Sequence, residues 1–149
     1  MFISTKSQYA LRAVFEIAKS DQQAIMTIGE IAKAQQVPQR YLEGILNQLR
    51  KGGLLEAQRG RSGGYKLAKD ARNITVGDVV RLIDGQIRAV ACVKEDQPTD
   101  CPMRTNCVFM PTWQKVQDAI DEALDSTDFA HLVECDNKSR QKECTNYTI

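Results

Sequence analysis

Two helical patterns separated by a tight turn constrain the fold more than any other feature of the sequence. Thr27 and Glu30 have the spacing of a capping box, and they open a short helix that is predicted to end near Gln35. After the turn, Pro38 fits the first position of a longer helix, where its missing N–H costs no hydrogen bond. A short helix, a tight turn and a longer helix are typical of a helix-turn-helix unit.

The longer helix is predicted to have one buried face and one polar face. Four apolar residues recur at helical spacing and should face inward: Leu42, Ile45, Leu46 and Leu49. Five polar residues are expected on the outward face: Gln39, Arg40, Glu43, Asn47 and Arg50. Gly52 and Gly53 then end the helix, because glycine adopts the left-handed conformation without a side-chain clash.

A glycine-rich β-hairpin is predicted directly after this helix. Residues 54–57 lead into a turn of sequence QRGRSGG, and residues 65–68 lead out of it. Beside a helix-turn-helix such a hairpin is a wing. Its tip carries Arg59 and Arg61, and arginines on a flexible ribbon suit a narrow minor groove, where the negative potential is strongest. The alternative is a solvated loop whose arginines contact only water.

Further helices are predicted on both sides of this unit. One runs from about Ser7 to Lys19, with Thr5 or Ser7 as its cap, and another starts at Thr75 and ends at Gly85. Pro111 opens a longer helix with an apolar stripe formed by Trp113, Val116, Ile120, Ala123 and Leu124. Because helix-turn-helix proteins usually read two-fold symmetric DNA sites, this stripe is interpreted as a dimer seam. Alternatively it packs only against its own domain.

The predicted fold class is mainly α with a small β-hairpin, or α+β. Four segments are expected: a winged helix-turn-helix DNA-binding domain in residues 1–85, a cysteine-bearing sensor loop in residues 86–110, a long dimerisation helix with a short terminal helix in residues 111–135, and a polar, disordered tail in residues 136–149.

Charge divides unevenly along the chain. Residues 1–90 hold 14 Lys and Arg against 8 Asp and Glu, whereas residues 91–149 hold 6 against 11, although the net charge of the whole is only +1. The basic half contains the predicted helix-turn-helix and wing. It is therefore the half expected to bind a polyanion such as double-stranded DNA.

Cysteine is concentrated in one polar, turn-rich stretch. No run of about 18 apolar residues occurs and the N-terminus lacks the order of a signal peptide, so a cytoplasmic protein without membrane contact is expected. In that reducing compartment, five cysteines favour metal, cluster or redox use over permanent disulfides. Cys92, Cys101 and Cys107 lie among charged and polar neighbours, which leaves their thiols available for chemistry.

Enzyme activity is not expected. The chain contains one histidine, His131, and no glycine-rich phosphate loop precedes a helix. A nucleophile with a histidine base and an acidic partner cannot be assembled without that residue.

Several motifs together resemble the Rrf2 family of bacterial winged-helix regulators. They are STKSQYALRA at residues 4–13, PQRYLEGILNQLRKGGLLEAQRGRSGGYKLAKD at 38–70, ITVGDVVRLIDG at 74–85, the cysteine triad, and VQDAIDEALDST at 116–127. The resemblance covers about residues 1–133. It implies a dimeric transcription regulator; family members include iron–sulfur cluster regulators, nitric-oxide-sensing repressors, iron-responsive repressors and a cluster-free regulator of cysteine metabolism.

The resemblance also implies which residues contact a palindromic operator. The major-groove set is Gln39, Arg40, Tyr41 and Glu43, with Glu43 accepting a hydrogen bond from a cytosine amino group. From the wing, Arg59 and Arg61 would enter the minor groove. Near the first helix, the implied phosphate contacts are Ser4, Lys6 and Tyr9.

By the same resemblance, Cys92, Cys101 and Cys107 would hold an iron–sulfur cluster, either 2Fe-2S or 4Fe-4S. The spacing is Cys-x8-Cys-x5-Cys, and loop-closure cost grows slowly enough for the longer first interval to be tolerated. Met110 and Gln8 stand where the family places a fourth ligand. Other candidates are Cys135, Cys144, His131, Asp100 or a small molecule.

Two other uses of the triad stay open. A reversible disulfide between Cys101 and Cys107, or with Cys92, needs no metal and suits a thiol redox switch. Zinc is less favoured, because zinc motifs pair ligands two to four residues apart and no such pair occurs in this sequence.

Overall fold

The computed structural model describes residues 3–20, 24–93 and 101–146, the last five of these by their backbone alone. Within these ranges the elements are α1 (Thr5–Lys19), α2 (Ile28–Gln35), α3 (Gln39–Lys51), β1 (Leu55–Gln58), β2 (Gly64–Leu67), α4 (Val76–Asp84), α5 (Met110–Asp125) and α6 (Phe129–Asn146). Two 3₁₀ turns lie at Ala71–Asn73 and Arg104–Asn106. The predicted fold class, mainly α with a small β-hairpin, is confirmed.

Local capping signals set the starts of the helices. The capping box of α2 forms as predicted, and hydrogen bonds from Thr27 lower the pKa of Glu30 below its usual value. Thr75 and Asp78 form a second capping box at α4. At α1 the prediction was wrong by a few residues: the cap is Ser4, whose Oγ accepts the backbone N–H of Ser7 at 3.1 Å.

One hydrophobic core joins the N-terminal helices to the last one. Its members include Ala13 and Val14 of α1, Leu46 of α3, Ile74 before α4 and Phe129 at the start of α6. Phe129 is 1% exposed, and α6 packs along α1. The C-terminal helix therefore shares the core of the helix-turn-helix unit and does not belong to a separate one.

The predicted hairpin forms and is anchored on its second strand. The strands β1 and β2 pair antiparallel, with Leu55 opposite Leu67 and Gln58 opposite Gly64. On its other side β2 pairs with Met26. The Met26 N–H donates to the Tyr65 carbonyl at 2.9 Å, and the Tyr65 N–H donates to the Met26 carbonyl at 2.8 Å. That bridge fixes the wing to the segment that leads into α2.

Helices α4 and α5 are tied together by one arginine. Arg81 donates to Asp125 at 3.0 Å and to Asp121 at 3.2 Å. The hydrogen bonds that Arg81 donates to Asp125 lead the causes that raise the pKa of Arg81 above its already high value. None of the described helices is long and apolar enough to cross a membrane.

The C-terminal prediction was wrong in extent. A short helix followed by a disordered tail was expected, but α6 continues from Phe129 to Asn146. Its start is held by the buried ring of Phe129, and Arg140 pairs with Asp136 one turn earlier at 3.0 Å. Polar residues such as Glu, Lys, Arg and Gln are good helix formers, so the polarity that indicated disorder is equally compatible with a solvated helix.

Candidate DNA interface and cysteine loop

The second helix of the helix-turn-helix presents its polar face to solvent. All four residues predicted to enter the major groove are exposed on the first turns of α3: Gln39, Arg40, Tyr41 and Glu43. On the opposite side, Leu42 and Leu46 are fully buried. The packing of α3 thus leaves these predicted base-reading side chains available to a partner.

Two tyrosines and an arginine form a cluster at the start of α3. The Arg40 guanidinium lies 4.8 Å from the ring centre of Tyr41 and donates to its hydroxyl at 3.0 Å. The rings of Tyr41 and Tyr9 are 6.2 Å apart and tilted by 38°. Tyr9 belongs to α1, so this cluster connects the predicted phosphate-contacting helix with the predicted base-reading helix.

Ser4 is held by Asp84 across 80 residues of sequence. Its backbone N–H donates to Asp84 Oδ2 at 2.9 Å and its hydroxyl donates to Oδ1 at 2.5 Å. Burial alone would raise the pKa of Asp84, but the hydrogen bonds from Ser4 and the charge of Lys6 outweigh it, and the pKa lies below its usual value. Through these bonds Ser4 positions the start of α1, and its phosphate contact stays a prediction.

Lys6 keeps capacity for a phosphate. Its Nζ donates to Gln48 Oε1 at 2.7 Å, and Gln48 Nε2 donates to the Leu82 carbonyl at 3.0 Å. An ammonium group has three donors, so two remain after this bond. Gln48 thereby holds the Lys6 ammonium group next to α3.

The wing tip projects two arginines into solvent. Arg59 and Arg61 are both exposed, and Gly60 between them has a φ of 111°, a conformation that side chains rarely adopt. Gly63 closes the turn by donating its N–H to the Gly60 carbonyl at 3.0 Å. The tip is therefore shaped by glycines and leaves both guanidinium groups accessible.

The three predicted cluster ligands lie on the connection between α4 and α5. Cys92 is half-buried in a turn beside Val93, Cys101 is exposed, and Cys107 is half-buried after the second 3₁₀ turn. Residues 94–100, between the first two cysteines, are not described. Across the described ranges, no three His, Cys, Asp or Glu side chains are grouped closely enough to hold a metal ion.

The candidates for a fourth ligand are dispersed. Met110 begins α5, and Gln8 on α1 donates to the Ile3 carbonyl at 3.3 Å. His131 and Cys135 lie one turn apart on the exposed side of α6, with 3.6 Å between Nε2 and Sγ. Asp100 and the side chain of Cys144 lie outside the described residues.

The three thiols of the loop are suitable ligands for an iron–sulfur cluster. In the described structure, however, they are not positioned to bind one together. Three thiols on one loop are the ligand type that such clusters use. The described structure does not bring their sulfur atoms together, so cluster binding would require the connection to rearrange.

A buried glutamine fixes the start of this connection to α5. Gln117 is 2% exposed; its Oε1 accepts the Ala89 N–H at 2.9 Å and its Nε2 donates to the Ile87 carbonyl at 3.0 Å. Sequence reasoning missed Gln117, Gln48 and Asp84, because each acts through a partner that is distant along the chain.

The exposed face of α3 and the anchored hairpin define the class: a winged helix-turn-helix DNA-binding protein. A model of the Rrf2 family, described as an iron-dependent transcriptional regulator, matches residues 3–135. The chain belongs to the Rrf2 family of transcriptional regulators.

Relatives with this architecture are named as regulators. The transcriptional regulator CymR of Bacillus subtilis is 33% identical over 132 residues, which cover 89% of both chains. The regulator IscR of Vibrio campbellii is 30% identical over 133 residues, which cover 89% of this chain and 77% of that one. Both relatives are named as transcriptional regulators, which agrees with the expectation of a regulator and not an enzyme.

Solved structures of similar proteins share the fold. CymR, the global cysteine regulator of B. subtilis, has a TM-score of 0.73 at 30% identity and covers 90% of this chain and 97% of its own. IscR of T. potens also has a TM-score of 0.73 at 30% identity, covering 93% and 90%. The oxidised form of Staphylococcus aureus CymR has a TM-score of 0.68 at 32% identity, covering 90% and 97%.

Proposed function

We propose that this protein is a homodimeric transcription regulator that reads a palindromic operator and whose DNA affinity is controlled by an iron–sulfur cluster on its three-cysteine loop. The observation that carries the DNA-binding part is the exposed polar face at the start of α3 in a chain of the Rrf2 family. Glu43, Arg40 and Gln39 would read base edges in the major groove, with Tyr41 beside them.

Minor-groove and phosphate contacts complete the proposed interface. Arg59 and Arg61 would enter the minor groove from the wing, where a narrow groove concentrates negative potential. Lys6 and Tyr9 would contact phosphates, while Ser4 positions α1 through Asp84. Phosphate contacts fix orientation and base contacts give specificity.

An apolar surface near α5 supports the dimer. Four large apolar side chains are exposed on or beside this helix: Met103, Val108, Phe109 and Val116. Phe109 packs near Trp113, with ring centres 6.3 Å apart. Large apolar side chains exposed on one helix and the turn before it are typical of an interaction site, and a two-fold dimer would bury them while placing two recognition helices on one face of DNA.

Cluster control is supported by the three thiols and by the iron-dependent description of the family. When bound, a cluster would supply a centre whose gain, loss or oxidation changes the shape of the loop. Cys92 follows the segment that Gln117 ties to α5, and Cys107 precedes α5 directly. A change in the loop would therefore act on the start of the proposed dimer helix and, through Gln117, on its middle.

The alternative is a cluster-free thiol switch. Cys92, Cys101 and Cys107 are all free thiols, and Cys101 is exposed. An oxidant such as a peroxide could remove two electrons and two protons from a pair of them to form a disulfide. This alternative is favoured by the similarity to CymR, a relative that has been solved in an oxidised form.

A binding assay at two salt concentrations tests the regulator proposal. A palindrome selected by the protein from a randomised library is compared with random duplex DNA of the same length. We expect a preference of about 10³-fold or more for the palindrome and weaker binding to both at higher salt. Equal affinity for the two duplexes would contradict the proposal.

A further inference from the structure

Gly44 lies in the middle of the recognition helix without an internal reason to be glycine. It is exposed, and its φ is not positive. A Cβ added there would meet no heavy atom within 4 Å beyond the backbone of its own helix turn. Glycine in a helix interior destabilises the helix relative to alanine. The space above Gly44 is thus open toward solvent, and the chain itself does not use it.

Helical spacing places Gly44 on the face proposed to read DNA. Glu43 is adjacent to it in sequence, and Arg40 and Asn47 are one helical turn before and after it. All three are exposed. A missing side chain on this face lets another molecule approach the helix backbone closely. Only glycine offers that approach.

Gly44 also forms one wall of a surface notch between α1 and α3. The notch has a volume of about 450 Å³ and is lined by Thr5, Lys6, Tyr9, Tyr41, Gly44 and Ile45. The two tyrosine rings that line it have their centres 6.2 Å apart. Aromatic rings, an aliphatic side chain and bare helix backbone make most of this wall apolar.

We propose that this notch binds the C5-methyl group of a thymine in each operator half-site, with Gly44 admitting the base edge and Tyr9 and Tyr41 contacting the methyl group. Among the groups that base pairs display in the major groove, the thymine methyl is the apolar one. Lys6 lines the same notch and stays assigned to a backbone phosphate, so the apolar part of the wall is left for the methyl group. The inference rests on the proposal that α3 reads the major groove.

Uracil substitution tests the notch directly, because uracil differs from thymine only by this methyl group. The probe is the palindrome selected by the wild-type protein, in which each thymine of the half-site is replaced in turn by uracil. At one position we expect the affinity to fall about fourfold per half-site, the scale for burying one methyl group.

Gly44→Ala gives the complementary measurement. The alanine methyl would fill the space above the helix, so this variant should bind the uracil-containing palindrome at least as well as the thymine form. Its melting temperature should rise by about 2–4 °C, since alanine favours the helix. Gly29→Ala, at an exposed helical position of α2, is the matched control and should keep the wild-type ratio of thymine to uracil affinity.

The outcomes separate the notch from the regulator proposal. If the wild-type protein prefers its palindrome but no uracil substitution changes affinity, the proposal that the notch binds a thymine methyl group is wrong and the regulator proposal stands. An unchanged thymine-to-uracil ratio in Gly44→Ala overturns the notch as well. Equal binding of palindrome and random DNA would remove the regulator proposal and the notch together.

Discussion

The side-chain oxygen of Gln117 accepts a hydrogen bond from the backbone N–H of Ala89 at 2.9 Å. The amide nitrogen of the same glutamine donates to the Ile87 carbonyl and to Asp121. Gln117 therefore uses both ends of its buried side chain to join the start of the cysteine connection to α5. Through these hydrogen bonds, a change in the cysteine loop would be transmitted to the proposed dimer helix.

Gln117→Ala should destabilise the protein by about 1–3 kcal/mol, because buried backbone groups at Ile87 and Ala89 lose their partners. Urea denaturation at a fixed protein concentration measures the change. Gln114→Ala, three residues away at an exposed position of the same helix, is the control and should change stability by less than about 0.5 kcal/mol. Equal effects of the two variants would contradict the structural role of Gln117.

The Ser4–Asp84 contact predicts a pH-dependent contribution to stability. The pKa of Asp84 is lowered from its ordinary value of 3.8, so the contribution is fully present above about pH 4 and is lost as the pH falls through the lower folded-state pKa. Asp84→Asn should therefore be less stable than wild type at pH 7, and the difference should shrink below pH 4, as measured by urea unfolding across pH.

Ser4→Ala provides the matching test of that contact. It should cost about 0.5–2 kcal/mol through loss of the helix cap. In the Ser4→Ala background, Asp84→Asn should have a smaller effect than in wild type, because the hydroxyl hydrogen bond is already lost and only the backbone N–H of residue 4 still donates to Asp84. Strict additivity of the two substitutions would show that the residues do not interact.

Glu43 and Lys6 should affect DNA binding in different ways. Glu43→Ala should relax sequence preference at one base pair and cost about 1–3 kcal/mol on the selected palindrome. Lys6→Ala should weaken binding to all duplexes alike and reduce the salt slope by about one unit. Competition binding against single-base variants of the palindrome distinguishes them. An unchanged base preference in Glu43→Ala would refute its major-groove role.

Local signals explain why much of the fold could be predicted from sequence. Three of these signals each involve residues that are close in sequence, and so they can be recognised without a structure. They are the Thr27–Glu30 capping box, the apolar spacing of α3 and the glycines of the wing. The exposure of the predicted base-reading residues follows from the same spacing, because burying Leu42 and Leu46 turns Arg40 and Glu43 outward.

Contacts between distant residues could not be predicted in this way. No sequence signal pairs Ser4 with Asp84, and a two-residue bridge such as Met26–Tyr65 has too little periodicity to be recognised. Gln117 looks like an ordinary surface residue until its burial is seen. The length of α6 was missed because a polar sequence is compatible with either a solvated helix or disorder.

The proposed dimer surface predicts a specific effect of charge. Val116→Lys places a charge within the exposed apolar surface and should shift the protein from twice the chain mass toward the monomer in light scattering at micromolar concentration. Gln114→Lys, on the same helix but at an exposed polar position, is the control for charge and should remain dimeric. A monomeric wild-type protein that still binds the palindrome tightly would contradict the proposed dimer.

The most direct test of cluster control compares DNA affinity before and after anaerobic cluster reconstitution. Iron and sulfide content are measured in the wild type, in Cys92→Ala, Cys101→Ala and Cys107→Ala, and in Ser139→Ala, at an exposed position of α6, as a control. We expect the wild type and the control to acquire a cluster, the three loop variants to lose it, and the affinity of the wild type for the palindrome to change by about 5- to 150-fold between its two forms. A full cluster in Cys101→Ala, or equal affinity of the cluster-bound and cluster-free wild type, would contradict the account.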